Sequence, residues 1–348
     1  MRDRQTHTSS GPSRTAEVEA ARLLLLRLGV NPEELLADVP RAEPPPTFAE
    51  YVPKVAIAVR DGTRRAYGPY WDRIVETWGE RRLDEPTAID VKYLAEHVRS
   101  HAVVRRNSRG GRSAAEHLIS ALRCVYNHAA ADGWVREADN PALRVSKPRR
   151  LPSTRHGLSD SRIRELNQVA ARTGNDPVLD CLLLRLHTET ACRRGGALAL
   201  RPQDLDEEQC LILLREKGDT QRWQPVSPTL MRCLRDHVER GPGEPSAQLL
   251  RYRDGQPITT RRYDYLWSRM RKHLSWVRTQ QVSTHWLRHT TLTWVERHFG
   301  YAVARAYAGH NDNRSAGVTA TYIRADIVEV ATALAVLTGE THPLVVTA

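Results

Sequence analysis

The pentapeptide His285-Trp286-Leu287-Arg288-His289 decides how this 348-residue chain is read. His285 and Arg288 stand three apart, so on a helix they share one face. Arg288 can fork two N–H donors onto one phosphate, and His285 can hold or accept a proton beside it. Alone, the pattern fits a basic surface helix better than a phosphate site. A zinc reading of His285 and His289 lacks a glutamate between them and a third ligand. The rest of the chain has to arbitrate.

Composition narrows the partner. The formal net charge is +11 and the sequence pI is about 9.7. The excess is spread along the chain, which favours a polyanion, nucleic acid before membrane. Five of the 52 basic residues are lysine: Lys54, Lys92, Lys147, Lys217 and Lys272. The five cysteines are scattered without a CxxC pair and read as reduced residues of a cytoplasmic protein. The most apolar run, Leu23 to Leu26, lies between Arg22 and Arg27 and is far too short for a membrane span, so neither signal peptide nor anchor is expected.

Working back to the start, residues 1–12 are polar and are expected to be disordered. A helix is predicted from Ser13 to Leu28. Asn31-Pro32-Glu33-Glu34 reads as the start of a second, and Pro44-Pro45-Pro46 as a stiff spacer. Apolar spacing at three and four predicts four helices over residues 47–140, marked by Phe48/Tyr51/Val55, Tyr67/Trp71/Trp78, Ile89/Leu94/Val98 and Leu118/Leu122/Tyr126, the last capped by Ser113 with Glu116 three later. Arg105, Arg106, Arg109 and Arg112 give this module a basic stretch. Residues 141–157 read as a linker, with Arg144, Lys147, Arg149, Arg150 and Arg155 and two prolines. It either lies along a phosphate backbone or is simply solvated.

A second domain, residues 158–348, opens at a helix start, Leu158-Ser159-Asp160. A buried helix through Leu182–Leu186 leads into Thr190-Ala191-Cys192-Arg193-Arg194-Gly195, where Arg193 needs a partner in so apolar a setting. Cys210–Leu214 and Thr220–Val226 read as a hairpin with Lys217 at its tip. A helix from Thr260 carries Tyr263, Leu266, Trp267 and Met270 on one face. Arg261, Arg262, Arg269, Arg271 and Lys272 ring its other sides, facing solvent or DNA. The pentapeptide's helix runs to Gly300, and a further one from Val303 to Tyr307 is followed by Ala308-Gly309-His310. Tyr322 stands twelve residues later. The apolar tail 326–337 is expected to pack on its own domain or on a neighbouring subunit.

In order, Arg193, Lys217, His285, Arg288, His310 and Tyr322 resemble the catalytic set of the tyrosine recombinases, the phage integrase family. Thr190–Gly195 resembles the family's first arginine box, His285–His289 the second, and Ala308-Gly309-His310 the Leu-Gly-His box. Three departures stand out. Gly196 replaces a common acid, Ala308 replaces leucine, and the gap from His310 to Tyr322 is about three residues longer than usual. Tyr301 and Tyr307 precede the His310 box and read as helix-packing residues.

The resemblance implies a mainly α protein with a small antiparallel β-sheet in the catalytic domain, arranged as a two-domain C-shaped DNA clamp. Residues 1–46 form a helical extension and residues 47–140 a helical core-binding domain. It implies a site-specific recombinase or integrase of a mobile genetic element that cuts and rejoins double-stranded DNA through a 3′-phosphotyrosyl link. No metal, ATP or other cofactor is expected. Homotetramers on paired sites are implied, with an accessory DNA-bending protein as a further partner and a cytoplasmic, nucleoid-associated location. Tyr322 would be the nucleophile, with Arg193, Arg288 and His310 on the phosphate, Lys217 the general acid and His285 the proton acceptor. Arg106, Arg112, Arg144, Lys147, Arg149, Arg150, Arg261 and Arg262 are the DNA-contact candidates. A type IB topoisomerase-like enzyme and a regulator that has lost catalysis remain the alternatives.

Overall fold

The computed structural model describes residues 14–29, 44–103, 110–149, 151, 153, 155–216, 220–309 and 325–345. It divides into two compact units, residues 1–150 and 151–348. Among the described residues no helix is long and apolar enough to cross a membrane.

In the first unit α1 (Arg14–Leu28) is followed by α2 (Phe48–Ala58), α3 (Asp61–Trp78), α4 (Ala88–Ser100) and α5 (Arg112–Ala131). The predicted helix start at Asn31 lies outside the described residues. Reciprocal capping boxes fix two helix starts. Thr47 pairs with Glu50 at the head of α2, and Thr87 with Asp90 at the head of α4. Helix α5 is the spine, burying Ala115, Leu118, Ile119, Leu122, Val125, Tyr126 and Ala129 at helical spacing. Phe48 packs between Trp78 and Tyr126 with ring centres 5.6 and 6.1 Å away. The buried polar atoms are satisfied: Trp71 Nε1 donates to the Ala121 carbonyl at 3.1 Å, and the Tyr126 hydroxyl to the Leu83 carbonyl at 3.0 Å.

The start of α5 differs from the sequence expectation. Gly111, not Ser113, is the N-cap, at φ 70°. A β-carbon there would meet the Arg99 carbonyl oxygen at 2.1 Å, so close approach to the end of α4 demands glycine. Ser113 lies inside the helix, its hydroxyl 3.3 Å from His117 Nδ1. After α5, Ala142 and Val145 join the same core, and Arg123 donates to both their carbonyls at 3.0 and 2.9 Å.

The second unit contains α6 (Asp160–Arg172), α7 (Pro177–Thr190), the short α8 (Arg194–Leu198), β1 (Leu205–Asp206), β2 (Leu211–Glu216), β3 (Thr220–Pro225), α9 (Pro228–Val238), α10 (Thr260–His273), α11 (Ser275–Gln280), α12 (Thr284–Ala308) and α13 (Ile327–Thr338). The strands form an antiparallel sheet in the order β1-β2-β3, with Leu213 opposite Trp223 and Glu216 opposite Thr220. The two-residue β1 was not foreseen; two residues carry no readable period.

Helix α7 runs through the centre of this unit, burying Leu179, Leu182, Leu183, Leu184 and Leu186. It packs against α6 and α12. Helix α13 packs on its own unit, with Val330, Ala333 and Leu334 set against Val295, Val303 and Tyr307 of α12. Beyond α13, Glu340 accepts from Arg185 at 2.6 Å and from the Thr229 amide at 3.0 Å.

One of the DNA-contact candidates does not face solvent or DNA. Arg262 is a core residue, its side chain 2% exposed. Its guanidinium donates to Asp180 Oδ1 at 2.9 Å, Asn175 Oδ1 at 2.7 Å and the Asp176 carbonyl at 3.0 Å. Arg269, two helical turns on, is also buried and bonds the other Asp180 oxygen. Both arginines share the apolar edge of α10 with Tyr263 and Met270, which carries them into the core instead of toward solvent.

Candidate active site

The site is built where two helices stop. Helix α7 ends at Ala191, which adopts a left-handed φ of 50°. The chain then reverses through Cys192, and extended Arg193 caps α8. Helix α12 carries a break at Gly300 (φ 83°, ψ 173°) and ends at Gly309 (φ 68°). Both ends present free carbonyls toward the first turns of α12.

Arg288 occupies that junction and is 4% exposed. Its Nη1 donates to the Ala191 carbonyl, and its Nη2 to the Ala308 carbonyl at 2.9 Å. Helix C-termini carry partial negative charge, so a cation is well placed there. Two carbonyls do not exhaust the five donors of a guanidinium.

Beside it, Glu216 ends β2 with its side chain 2% exposed. Its carboxylate accepts from the Arg193 amide at 3.0 Å and pairs with Arg193 Nη1. Arg288 Nη1 is 3.9 Å from its other oxygen. Glu216 is the residue of this site that sequence reading missed. The signal was available: an acid at the end of an apolar strand, with the usual acid absent at Gly196.

A third arginine lies behind the pair. Arg222 on β3 is half-buried, bonded to Gln224 and to the Thr190 carbonyl at 3.3 Å. Its Nε packs beneath Gly309, where a β-carbon would come within 2.5 Å. Arg193 and Arg288 thus face one carboxylate with Arg222 beside them, an excess of positive charge that favours an anion. Burial, then Arg193, pulls the Arg288 pKa down to about 10, which leaves it charged at neutral pH. Burial, then Arg155 and Arg288, lowers that of His285. The shift favours the neutral imidazole, the form that can accept a proton.

Two cavities open on either side of this wall. One of about 430 Å³ is lined by Arg193, Arg194, Asp264, Trp267, His285 and Arg288 among others. The second, about 360 Å³, is lined by Arg193, His285, Arg288, His289, Tyr301 and Ala308 among others. Arg193, His285 and Arg288 are the residues the two share. A larger cavity of about 930 Å³, lined by α6, α7, α12 and α13, includes none of the six candidates. Among the described residues no group of three or more His, Cys, Asp or Glu is placed to hold a metal ion.

Residues 157–327 match the phage integrase family. The chain belongs to the phage integrase family. Among its relatives in this family, the tyrosine recombinase XerC of Bacillus pumilus (strain SAFR-032) is 27% identical over 186 residues, covering 50% of this chain and 59% of that protein. Tyrosine recombinase XerC of Chlamydia caviae is 30% identical over 145 residues, covering 38% of this chain and 43% of that one. The fold is similar to that of lambda integrase in a tetramer bound to a Holliday junction, with TM-score 0.59, 15% identity, and 88% of this chain and 89% of that one covered. It is also similar to the Tn1549 transposon integrase in complex with a circular intermediate DNA, with TM-score 0.59, 16% identity, and 76% of this chain and 92% of that one covered.

For this integrase-family chain, the six candidates divide into two groups. Arg193, His285 and Arg288 lie together. Lys217, His310 and Tyr322 lie outside the described residues. Tyr307 is a packing residue as expected, fully buried with its hydroxyl on the Glu189 carbonyl. Tyr301 departs from expectation. It is 64% exposed and lines the second cavity, because the break at Gly300 turns it off the apolar face. Arg112, Arg144, Lys147, Arg149 and Arg261 are exposed, and Arg106 and Arg150 lie outside the described residues.

Proposed function

We propose that the protein is a site-specific recombinase that cuts and rejoins double-stranded DNA through a covalent 3′-phosphotyrosyl intermediate. The observation that carries this reading is the cluster of Arg193, His285 and Arg288 around one buried carboxylate, open to solvent through two cavities that all three line. A phosphodiester has one negative charge and gains another as its phosphorus becomes pentacoordinate. Fixed guanidiniums in a partly water-excluded site match that gain without reorganising.

In this mechanism the Tyr322 oxygen attacks phosphorus and its proton passes to neutral His285. The bond from phosphorus to the 5′-oxygen breaks, and that oxygen takes a proton from Lys217. Arg193, Arg288 and His310 hold the non-bridging oxygens. The phosphotyrosyl bond conserves the energy of the broken diester, so a 5′-hydroxyl from another strand can reverse the step without ATP. Arg112, Arg144, Lys147, Arg149 and Arg261 contact the backbone, together with Arg106 and Arg150. Four protomers act on paired sites, with an accessory DNA-bending protein as a further partner, as in recombination of a mobile element.

Covalent trapping tests this. Duplex DNA from the gene's own neighbourhood, nicked near candidate sites so that the cut fragment diffuses away, is incubated with protein in EDTA and run on denaturing gels. Wild type and Tyr301→Phe form an adduct. Tyr322→Phe forms none, and Arg288→Ala loses on the order of 100-fold or more in rate. Tight, specific binding without any adduct would replace this reading with a regulator that has lost catalysis. An adduct that persists in Tyr322→Phe and vanishes in Tyr301→Phe would move the nucleophile.

A further inference from the structure

We propose that Glu216 is the positioning residue for the arginine pair, supplied from the strand because the helix that follows Arg193 has no acid to offer. This rests on the recombinase reading above. Three observations carry it. First, the Glu216 carboxylate meets Arg193 twice, accepting from its backbone amide at 3.0 Å and pairing with its guanidinium. It therefore fixes both the start of α8 and the direction of the side chain. Second, Arg193 is 41% exposed while Glu216 is 2% exposed. The arginine reaches into the open site and the acid holds it from behind. The same carboxylate stands 3.9 Å from Arg288, so one anion sets the spacing of two cations that otherwise repel each other. Third, Gly196 makes room for it. A β-carbon at 196 would come 3.3 Å from Glu216 Cγ, a tight contact, and 3.4 Å from the Arg215 carbonyl oxygen, an ordinary one, so the bare glycine lets the glutamate side chain lie close against α8.

The alternative route for Glu216 is through its neighbour. Lys217 follows it directly in the chain. An acid that acted by holding the lysine would serve protonation of the leaving group, whereas an acid that acts on the arginines serves the charge on phosphorus. A substrate whose 5′-bridging oxygen is replaced by sulfur separates the two, because a thiolate leaves without a proton.

The experiment measures single-turnover adduct formation on oxygen and sulfur substrates, with DNA affinity and thermal melting followed alongside. Wild type and Tyr322→Phe are the controls, so failure of the recombinase reading shows as a wild type that forms no Tyr322-dependent adduct. Glu216→Gln keeps the shape and loses the charge. It is expected to slow adduct formation about 100-fold on both substrates, with DNA binding within a few-fold of wild type. Lys217→Ala is expected to be slow on oxygen and restored on sulfur. Glu216→Ala removes the atoms that crowd position 196. The double variant Gly196→Glu/Glu216→Ala, which returns a carboxylate from the helix side, is expected to form adduct at least ten-fold faster than Glu216→Ala. Wild-type rates in Glu216→Gln, restoration of Glu216→Gln by sulfur, or a double variant no faster than Glu216→Ala would each overturn the assignment.

Discussion

Asp180 shows how far a single residue can reorder the reading of a surface. It lies in the most apolar stretch of α7, is fully buried, and accepts from Arg262 at one carboxylate oxygen and from Arg269 at the other. The ring of Tyr265 covers both guanidiniums at 5.5 and 5.1 Å. Removing the acid leaves two buried cations unpaired. Asp180→Ala should therefore lose about 3–5 kcal/mol of stability, read from the urea or guanidinium midpoint. Arg262→Ala should also destabilise the fold while leaving the salt dependence of DNA binding unchanged, since a residue buried in this way touches no phosphate. The sequence told which face of α10 is apolar, through Tyr263, Leu266, Trp267 and Met270. It did not tell that Arg262 and Arg269 flank that face and turn inward, because the reason is one aspartate more than eighty residues away. Glu216 was missed for a related cause. Its value lies in contacts with Arg193 and Arg288, and local spacing records neither.

At the scale of elements, the decisive device is the break in α12. Periodicity correctly separated a helix reaching Gly300 from another beginning near Val303, because glycine is a weak helix former and the apolar stripe restarts after it. What periodicity could not give is the angle. At φ 83° and ψ 173° Gly300 occupies backbone space that is nearly closed to other residues. The turn lets residues 301–308 fold back so that the Ala308 carbonyl reaches Arg288. No atom lies within 4 Å of a β-carbon built at 300, so substitution there tests the backbone alone. Gly300→Ala should cost about 1–3 kcal/mol in a denaturant melt. It should also slow adduct formation more than it weakens DNA binding, because it shifts a partner of Arg288 and no exposed cation. Equal stability with wild type would show that the break is imposed by packing from α13 instead of by the glycine. The start of α5 teaches the same lesson: Ser113 and Glu116 formed a plausible cap in the sequence, yet the close approach of Arg99 moved the start to Gly111.

At the scale of the whole molecule, each unit has a core of its own. One gathers around Trp71, Leu118 and Tyr126, and the other around Leu183, Leu214 and Met270. The described residues between Val145 and Leu158 contribute to neither core and have no regular secondary structure, and Lys147, Arg149 and Arg155 are exposed there. Backbone without helix or strand bonds is the easiest for a protease to open. Trypsin should therefore cut after Arg149 and Arg155, and each product should keep a cooperative melt because its core is intact. Mass spectrometry identifies the cuts, and calorimetry follows the pieces. Bound duplex DNA should slow these two cuts at low salt if the basic stretch follows a phosphate backbone. The protection should fade as salt rises, since each lysine or arginine on a phosphate displaces a counterion. Cuts that proceed at the same rate with DNA bound would place the stretch on the solvent side and leave Arg112, Arg144 and Arg261 to carry the backbone contacts.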